Sequence, residues 1–343
     1  MRRAARHISV KDVAARSGVS FQTTSKVLNG KGSVSDQTRA RILHVASELG
    51  YVPNLQARSL VMQRTLTVGM ITGDFSDPGL SRLLAGAEQE ARRQGYGVLI
   101  TSVEPEGSGT EYALPAMMER RVDGILFAAP QMEEDRALSH VLDGALPAIS
   151  VHHIAGGAVA TVGPDNERAG YLATAHLLDL GHRVIGSVTG VRGRRLTQSR
   201  QRGHRRALDE AGVEAGDDLV EEGGEQVAGG TVAATRLVER RADLTAIFCH
   251  HDLAALGVMA ALRSAGRRIP GDCSLVSCDD LGMAAHTTPP LTTVHVPFYE
   301  TGAEAMRQLL RLVGDPSTRP GKVLLPVQLI VRGSTAEARS PTA

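Results

Sequence analysis

The side chains best suited to chemistry sit just after short apolar runs. Asp74, Phe75 and Asp77 follow TVGMIT at 67–72, His152 and His153 follow AISV at 148–151, His250, His251 and Asp252 follow AIFC at 246–249, and Asp279 and Asp280 follow LVSC at 275–278. Carboxylates and imidazoles serve acid–base chemistry, metal ligation and hydrogen bonding to small molecules. Neither histidine pair has the i, i+4 spacing or the cysteine partners of a metal motif, so no metal is expected. Cys249, Cys273 and Cys278 are odd in number, lack ligand-like pairing and lie in or beside apolar runs, which reads as buried free thiols of a reducing compartment. A nucleophile-elbow Gly-x-Ser-x-Gly, a phosphate-loop Gly-Lys-Ser/Thr and a strand-linked Gly-x-Gly-x-x-Gly are all missing. No catalytic residue and no cofactor is assigned, and the chemistry that remains is recognition.

The elements that must position these residues alternate between β-rich runs and amphipathic helical stretches, a parallel α/β signature. Strands are expected at 67–72, 98–101, 124–128 and 148–151, with helices near 80–94, 111–120 and 135–143. A second set follows at 184–188, near 219, at 246–249 and at 275–277, with helices near 167–180, 198–211, 230–240 and 253–265. Two similar halves imply two lobes, joined by crossovers near 160, 290 and 320, with a return through 292–296, a helix at 299–313 and a run at 322–331. Ligands of such sheets sit beyond the carboxyl ends of the strands, where two lobes enclose a cleft. Asp165, Asp252 and Asp280 also stand where helix caps are expected.

Residues 1–65 differ from the rest. They hold eleven Lys or Arg against three Asp or Glu, a net +8, so the overall +1 leaves −7 for the other 278 residues. A basic head on an acidic body suits a polyanionic partner for the head alone. Ser9 to Asp12 fits an N-terminal capping pattern, Val10, Val13 and Ala14 make an apolar stripe, and Gly18 closes it. Ser20 caps a second helix through Leu28 with Thr24 and Val27 inward, and Ser35 caps a third reaching Gly50 over Ile42, Val45, Ala46 and Leu49. Two short helices around a glycine turn, backed by a third, form a helix-turn-helix. In that geometry Phe21, Gln22 and Lys26 face base edges, while Ser20, Thr23, Ser25, Asn29, Ser35, Thr38 and Arg39 are placed on phosphates.

DVAARSGVSFQTTSKVLNGKGSVSDQTRARI at 12–42 and LGYVPNLQARSL at 49–60 resemble the headpiece and hinge of the LacI/GalR family. The resemblance implies a hinge helix over 54–61 that begins at Asn54, a close dimer contact near Ala57, and Leu60 as an apolar wedge in the minor groove. It also implies a periplasmic-binding-protein-like sensor. SRQRGHRRAL at 199–208 looks like the segment whose arginine, here Arg200, anchors the ligand; Asp279 matches a ligand-binding aspartate and Phe298 a pocket aromatic. With Phe75, Asp77, His152 and His251 these make the expected effector site. Lys26 stands where the family usually has Arg, and His251 and His152 stand where it commonly has Asn and Asp. A site rich in imidazole and Arg suits an acidic or phosphorylated sugar as well as a neutral one.

The expected fold class is therefore an all-α helix-turn-helix headpiece at 1–52, a hinge and linker at 53–65, a two-lobed α/β sensor of parallel sheets at 66–335 and a flexible tail at 336–343. The function that follows is a ligand-responsive repressor, cytoplasmic and dimeric on a pseudopalindromic DNA operator, with a sugar or sugar derivative as effector. No apolar run is long enough for a membrane span, and MRRAARHISV lacks the apolar region of a secretory signal. Two rivals share the two lobes: an exported solute-binding protein, which has no use for residues 9–60, and a sugar-processing enzyme, which needs catalytic carboxylates in the cleft.

Overall fold

The computed structural model of the 343-residue chain describes residues 8–30, 32–52, 64–104, 110–133, 146–152, 154, 159–319 and 321–338. Two compact units meet in sequence at Thr65 and Leu66.

The first unit contains α1 (Val10–Ser17), α2 (Phe21–Leu28) and α3 (Asp36–Glu48). Ser9 and Asp12 close a reciprocal capping box on α1, and Gly18 ends it in the left-handed region at φ 65°. The Ser20 side chain accepts from Thr23 N–H, and that of Ser35 accepts from Thr38 N–H. Each helix contributes buried aliphatics to one core: Val13 from α1, Val27 from α2, and Ile42, Val45 and Ala46 from α3. The sequence specifies this unit twice, by caps that set where each helix starts and by a stripe that sets which face turns inward.

The second unit is built from two parallel sheets. In the first lobe β1 (Thr67–Thr72), β2 (Gly97–Ser102), β3 (Ile125–Ala128), β4 (Ala148–Ser150) and β5 (Ala160–Pro164) carry α4 (Pro78–Arg93) and α5 (Thr110–Glu119) between them. The chain crosses at Asp165 into the second lobe, where α6 (Asn166–Asp179), β6 (Ile185–Thr189), α7 (Arg195–Glu210), β7 (Val220–Glu222), α8 (Val227–Arg240), β8 (Ala246–Cys249), α9 (Asp252–Ser264), β9 (Ser274–Asp279) and β10 (Thr292–His295) follow. It then returns through α10 (Phe298–Gly314) and β11 (Val323–Leu325) to the first sheet, and ends in the second with β12 (Gln328–Ile330). The strand orders are β11-β5-β4-β3-β1-β2 and β12-β10-β9-β8-β6-β7. All pairings are parallel except β10 with β12. The core strands β3 and β8 are buried along their whole length, as strands covered on both faces must be.

Three helix pairs cross at reciprocal glycines. A Cβ on Gly86 of α4 would lie 2.0 Å from the Tyr299 carbonyl oxygen, and one on Gly302 of α10 1.9 Å from that of Leu83. Gly170 of α6 meets Arg200 O at 2.0 Å and Gly203 of α7 meets Glu167 O at 1.9 Å in the same sense. Gly230 of α8 and Gly257 of α9 repeat the pattern against Ala254 O and Val227 O at 2.1 and 2.0 Å. No side chain fits at these crossings, so the backbones themselves are in contact.

The structure departs from the sequence expectations in three places. Residues 160–164 form a strand where only a crossover was expected, and the single run at 322–331 is two strands in different sheets. The expected tail is tied down at its start, because Ala336 N–H donates to Ser274 Oγ at 3.1 Å and Ala338 N–H to Leu180 O at 2.7 Å. The expected helix at 135–143 and the hinge helix, with Asn54, Ala57 and Leu60, lie outside the described residues.

Candidate functional site

In the first unit, Phe21, Gln22 and Lys26 share the outer face of α2, and Phe21 is exposed although it is a large apolar side chain. A solvent-facing phenylalanine beside an amide and an ammonium suits base edges better than it suits water. Several residues expected on phosphates also make intramolecular bonds. Ser20 Oγ donates to Thr23 Oγ1 at 2.9 Å, Asn29 Nδ2 donates to Ser25 O at 2.8 Å, and Arg39 Nη2 donates to Gly32 O at 3.0 Å. These bonds fix the ends of α2 and the loop before α3.

In the second unit the site forms where β9 ends. Asp279 and Asp280 both have positive φ, 120° and 54°, which is costly for residues carrying a Cβ. The strain is held by neighbours. Asp280 accepts from Arg332 Nη2 at 2.7 Å and His295 Nδ1 at 3.1 Å. Its carbonyl accepts from Arg82 Nη1, on the first lobe, at 3.4 Å. Asp252 caps no helix. Its carboxylate accepts from Leu281 N–H at 2.7 Å, from Thr293 Oγ1 at 2.7 Å and from Ser277 Oγ, so it anchors the loop that carries Asp279. Burial, and then the charge of Asp279, raise Asp252 to about 7.

Asp279 is the centre of the cluster. Its Oδ1 accepts from Arg200 Nη2 at 2.8 Å, and its Oδ2 lies 3.2 Å from His251 Nδ1. Burial opposes ionisation of Asp279, but Arg200 and His251 outweigh it and hold the carboxyl below its ordinary range. Arg200 has no exposed surface: Nε donates to Asn166 Oδ1 at 3.1 Å and Nη1 to the His250 carbonyl. The expected ligand anchor is thus also engaged by protein acceptors, Asp279 among them. The outer nitrogen of His251, Nε2, is buried with no hydrogen-bond partner among the described residues. A Cβ on Gly190 would fall 2.8 Å from it and 2.7 Å from Thr197 Oγ1, so glycine at 190 keeps open the space between the two groups.

From the first lobe, Asp77 caps α4 by accepting from Gly79 N–H at 2.8 Å. Its pKa is raised, first by burial and then by the charge of Asp279, which places the two carboxyls in electrostatic contact across the lobes. The Phe298 ring lies against Gly79, where a Cβ would come within 2.8 Å. Asp77, Arg200, His251, Asp279 and Phe298 are thereby brought to one region. Phe75 is half exposed, and His152 lines a cavity that none of those five residues lines. His250 and Asp252 point into the second lobe's interior, each fully buried. Burial, with the Arg194 charge, lowers His152 to about 4, so this imidazole is neutral at ordinary pH.

Sequence reasoning missed Thr197, Asn166 and Gly190. Thr197 lies one helical turn before Arg200, and Gly190 directly follows β6, so spacing held a signal for both. It also missed the latches between lobes, in which Arg194 Nη1 donates to Pro130 O at 2.5 Å and Arg195 N–H to Glu133 Oε2 at 3.1 Å. Among the described residues there is no cluster of His, Cys, Asp and Glu able to hold a metal ion, and no helix long and apolar enough to cross a membrane.

A three-helix head of DNA-reading geometry joined to a two-lobed α/β body with a polar cleft defines a ligand-responsive transcriptional regulator. The description "bacterial regulatory proteins, lacI family" matches residues 9–54, and "periplasmic binding protein-like domain" matches residues 174–335. The HTH-type transcriptional regulator DegA of Bacillus subtilis is 32% identical over 333 residues, covering 96% of this chain and 98% of that protein. The ribose operon repressor of Haemophilus influenzae is 30% identical over 95% of this chain and 98% of its own length. A lac repressor dimer bound to operator and the anti-inducer ONPF superposes with a TM-score of 0.86 at 27% identity, covering 96% of this chain and all of that one. The chain belongs to the LacI family.

Proposed function

We propose that this regulator is a cytoplasmic, non-enzymatic repressor that binds a pseudopalindromic operator as a homodimer, with affinity set by a sugar or sugar derivative between the lobes. The observation that carries the reading is the pairing of two surfaces in one chain: an α2 face of Phe21, Gln22 and Lys26, and a strained, hydrogen-bonding cleft around Asp279. A single head reads too few base pairs for specificity, which favours two heads on a two-fold site. In the cleft, Asp77, Asp279, the free His251 nitrogen and Thr197 match hydroxyl groups, and the Phe298 ring matches the CH face of a sugar. A solved LacI-family regulator from Enterococcus faecium carries ribose, and the relative from Haemophilus is a ribose operon repressor, which supports a sugar here.

Selection from random duplexes on the immobilised protein tests this. The expected product is a palindrome of two half-sites. Gln22→Ala with Lys26→Ala should then weaken binding by about 10- to 100-fold, the loss expected for one or two base contacts. Enrichment of no symmetric sequence, or unchanged affinity in the double variant with its helical content intact, would overturn the reading.

A further inference from the structure

A cavity of about 490 Å3 is lined by His152 of the expected effector site but by none of Asp77, Arg200, His251, Asp279 or Phe298. Its walls come from both lobes: Thr161, Gly163 and Lys322 from the first, and the start of α6 and one face of α7 from the second. Five cations line it, Arg168, Arg195, Arg202, Arg206 and Lys322, against the acids Glu133, Asp165 and Glu167. The acids are committed. Asp165 accepts from Arg168 N–H as the cap of α6, Glu133 Oε2 accepts from Arg195 N–H, and Glu167 pairs with Arg202 at 3.2 Å.

Two of the cations are held in advance. The guanidiniums of Arg168 and Arg206 each lie 4.9 Å from the centroid of the Tyr171 ring, and the Tyr171 hydroxyl donates to Glu210 Oε2 at 2.8 Å. Stacking on one anchored ring, together with the Arg206 ion pair to Glu210 at 2.8 Å, fixes both guanidiniums before any ligand arrives. Neither the Arg168 side chain nor Lys322 has a hydrogen-bond acceptor among the described residues, and they belong to opposite lobes. Gln198 and Ser199 add neutral polar groups on the same face of α7. The volume suits a small metabolite.

We infer that this cavity is a second ligand site, for a small phosphorylated metabolite whose phosphate oxygens bridge Lys322 of the first lobe and Arg168 of the second. The ligand differs in charge from a neutral sugar and enters beside two of the three crossings between lobes, at Asp165 and after Lys322, so its occupancy fixes the angle between them. The site does not depend on the operator reading, and it is tested without DNA.

Inorganic pyrophosphate is titrated into the full-length protein by calorimetry at constant ionic strength, with citrate as a carboxylate comparison. Saturable binding of pyrophosphate is expected, weakened at least about tenfold by Arg168→Ala and by Lys322→Ala, as loss of a charge-assisted hydrogen bond predicts. Both side chains are exposed, so both variants should keep the parent's melting temperature. Absence of saturable binding overturns the inference. Binding that survives unchanged in both variants also overturns it, because the anion then sits on the basic head. Citrate binding as tightly as pyrophosphate overturns the assignment to phosphate.

Discussion

His204 shows how a single side chain sets a pH limit. It is buried, shares a 2.8 Å hydrogen bond with Thr174 Oγ1, and is lowered to about 4 by burial and by Arg205. His152 is lowered to about 4 as well. A histidine depressed below 6.5 contributes stability that is present above pH 6.5 and is lost as pH falls towards 4. Asp252, raised from 3.8 to about 7, acts in the opposite direction: its contribution is complete below pH 3.8 and fades as pH rises through 7. Burial also lowers His250, His176 and His182, and it raises Asp77, so between pH 6.5 and 4 the histidines outnumber the raised aspartates and stability should drop on acidification, by up to about 1.4 kcal/mol per pH unit for each unbalanced proton. His204→Asn, which keeps a neutral partner for Thr174, should flatten the profile measured by calorimetry; an unaltered profile would assign the effect elsewhere. Residue types were legible here, but partners were not. Asp252 stands where a cap is expected, and only the fold brings Ser277, Leu281 and Thr293 to it from a distance in sequence. Arg200 reads as an anchor for a ligand, and nothing along the chain reveals that Asn166, His250 and Asp279 enclose it.

At the level of the element, periodicity and caps carried most of the information. The α1, α2 and α3 starts follow directly from Ser9, Ser20 and Ser35. The misses have physical causes. Strand β5 reads ATVGP, too short and too rich in Gly and Pro to declare itself, and it exists because β4 and β11 pair with it on either side. The split between β11 and β12 falls at Pro326-Val327, so a proline marks the change of sheet inside the run, a signal that sequence reasoning missed. Glycines inside helices look like weak points in sequence, yet at the crossings they permit contact. Gly203→Ala should destabilise by about 1–3 kcal/mol or more through overpacking against Glu167 O, read from urea unfolding. Gly314, where an added Cβ would meet no described atom beyond its chain neighbours and its own helix backbone, is the comparison, and its alanine variant should be neutral or slightly stabilising. Equal effects at the two sites would mean that α6 and α7 do not rely on close approach.

For the molecule as a whole, the partition of charge is the feature that sequence displayed most openly, and it determines behaviour in salt. If two heads of net +8 neutralise about 6–10 phosphates, the logarithm of operator affinity should fall against the logarithm of salt with a slope of about −5 to −9. Fluorescence anisotropy across potassium chloride concentrations measures it, and a flat line would leave the basic head without a polyanionic partner. The acidic remainder would be repelled by the same DNA, so orientation on the operator is decided before any base is read.

The three passages between lobes are very short: one residue between β5 and α6, and two each between β10 and α10 and between β11 and β12. Tethers of that length let the halves swing but prevent them from sliding or separating. Such tethers favour a hinged opening, much like a clamshell. Two metabolites wedged at different points along its opening would then not need separate wiring, since both would be reported as a single angle.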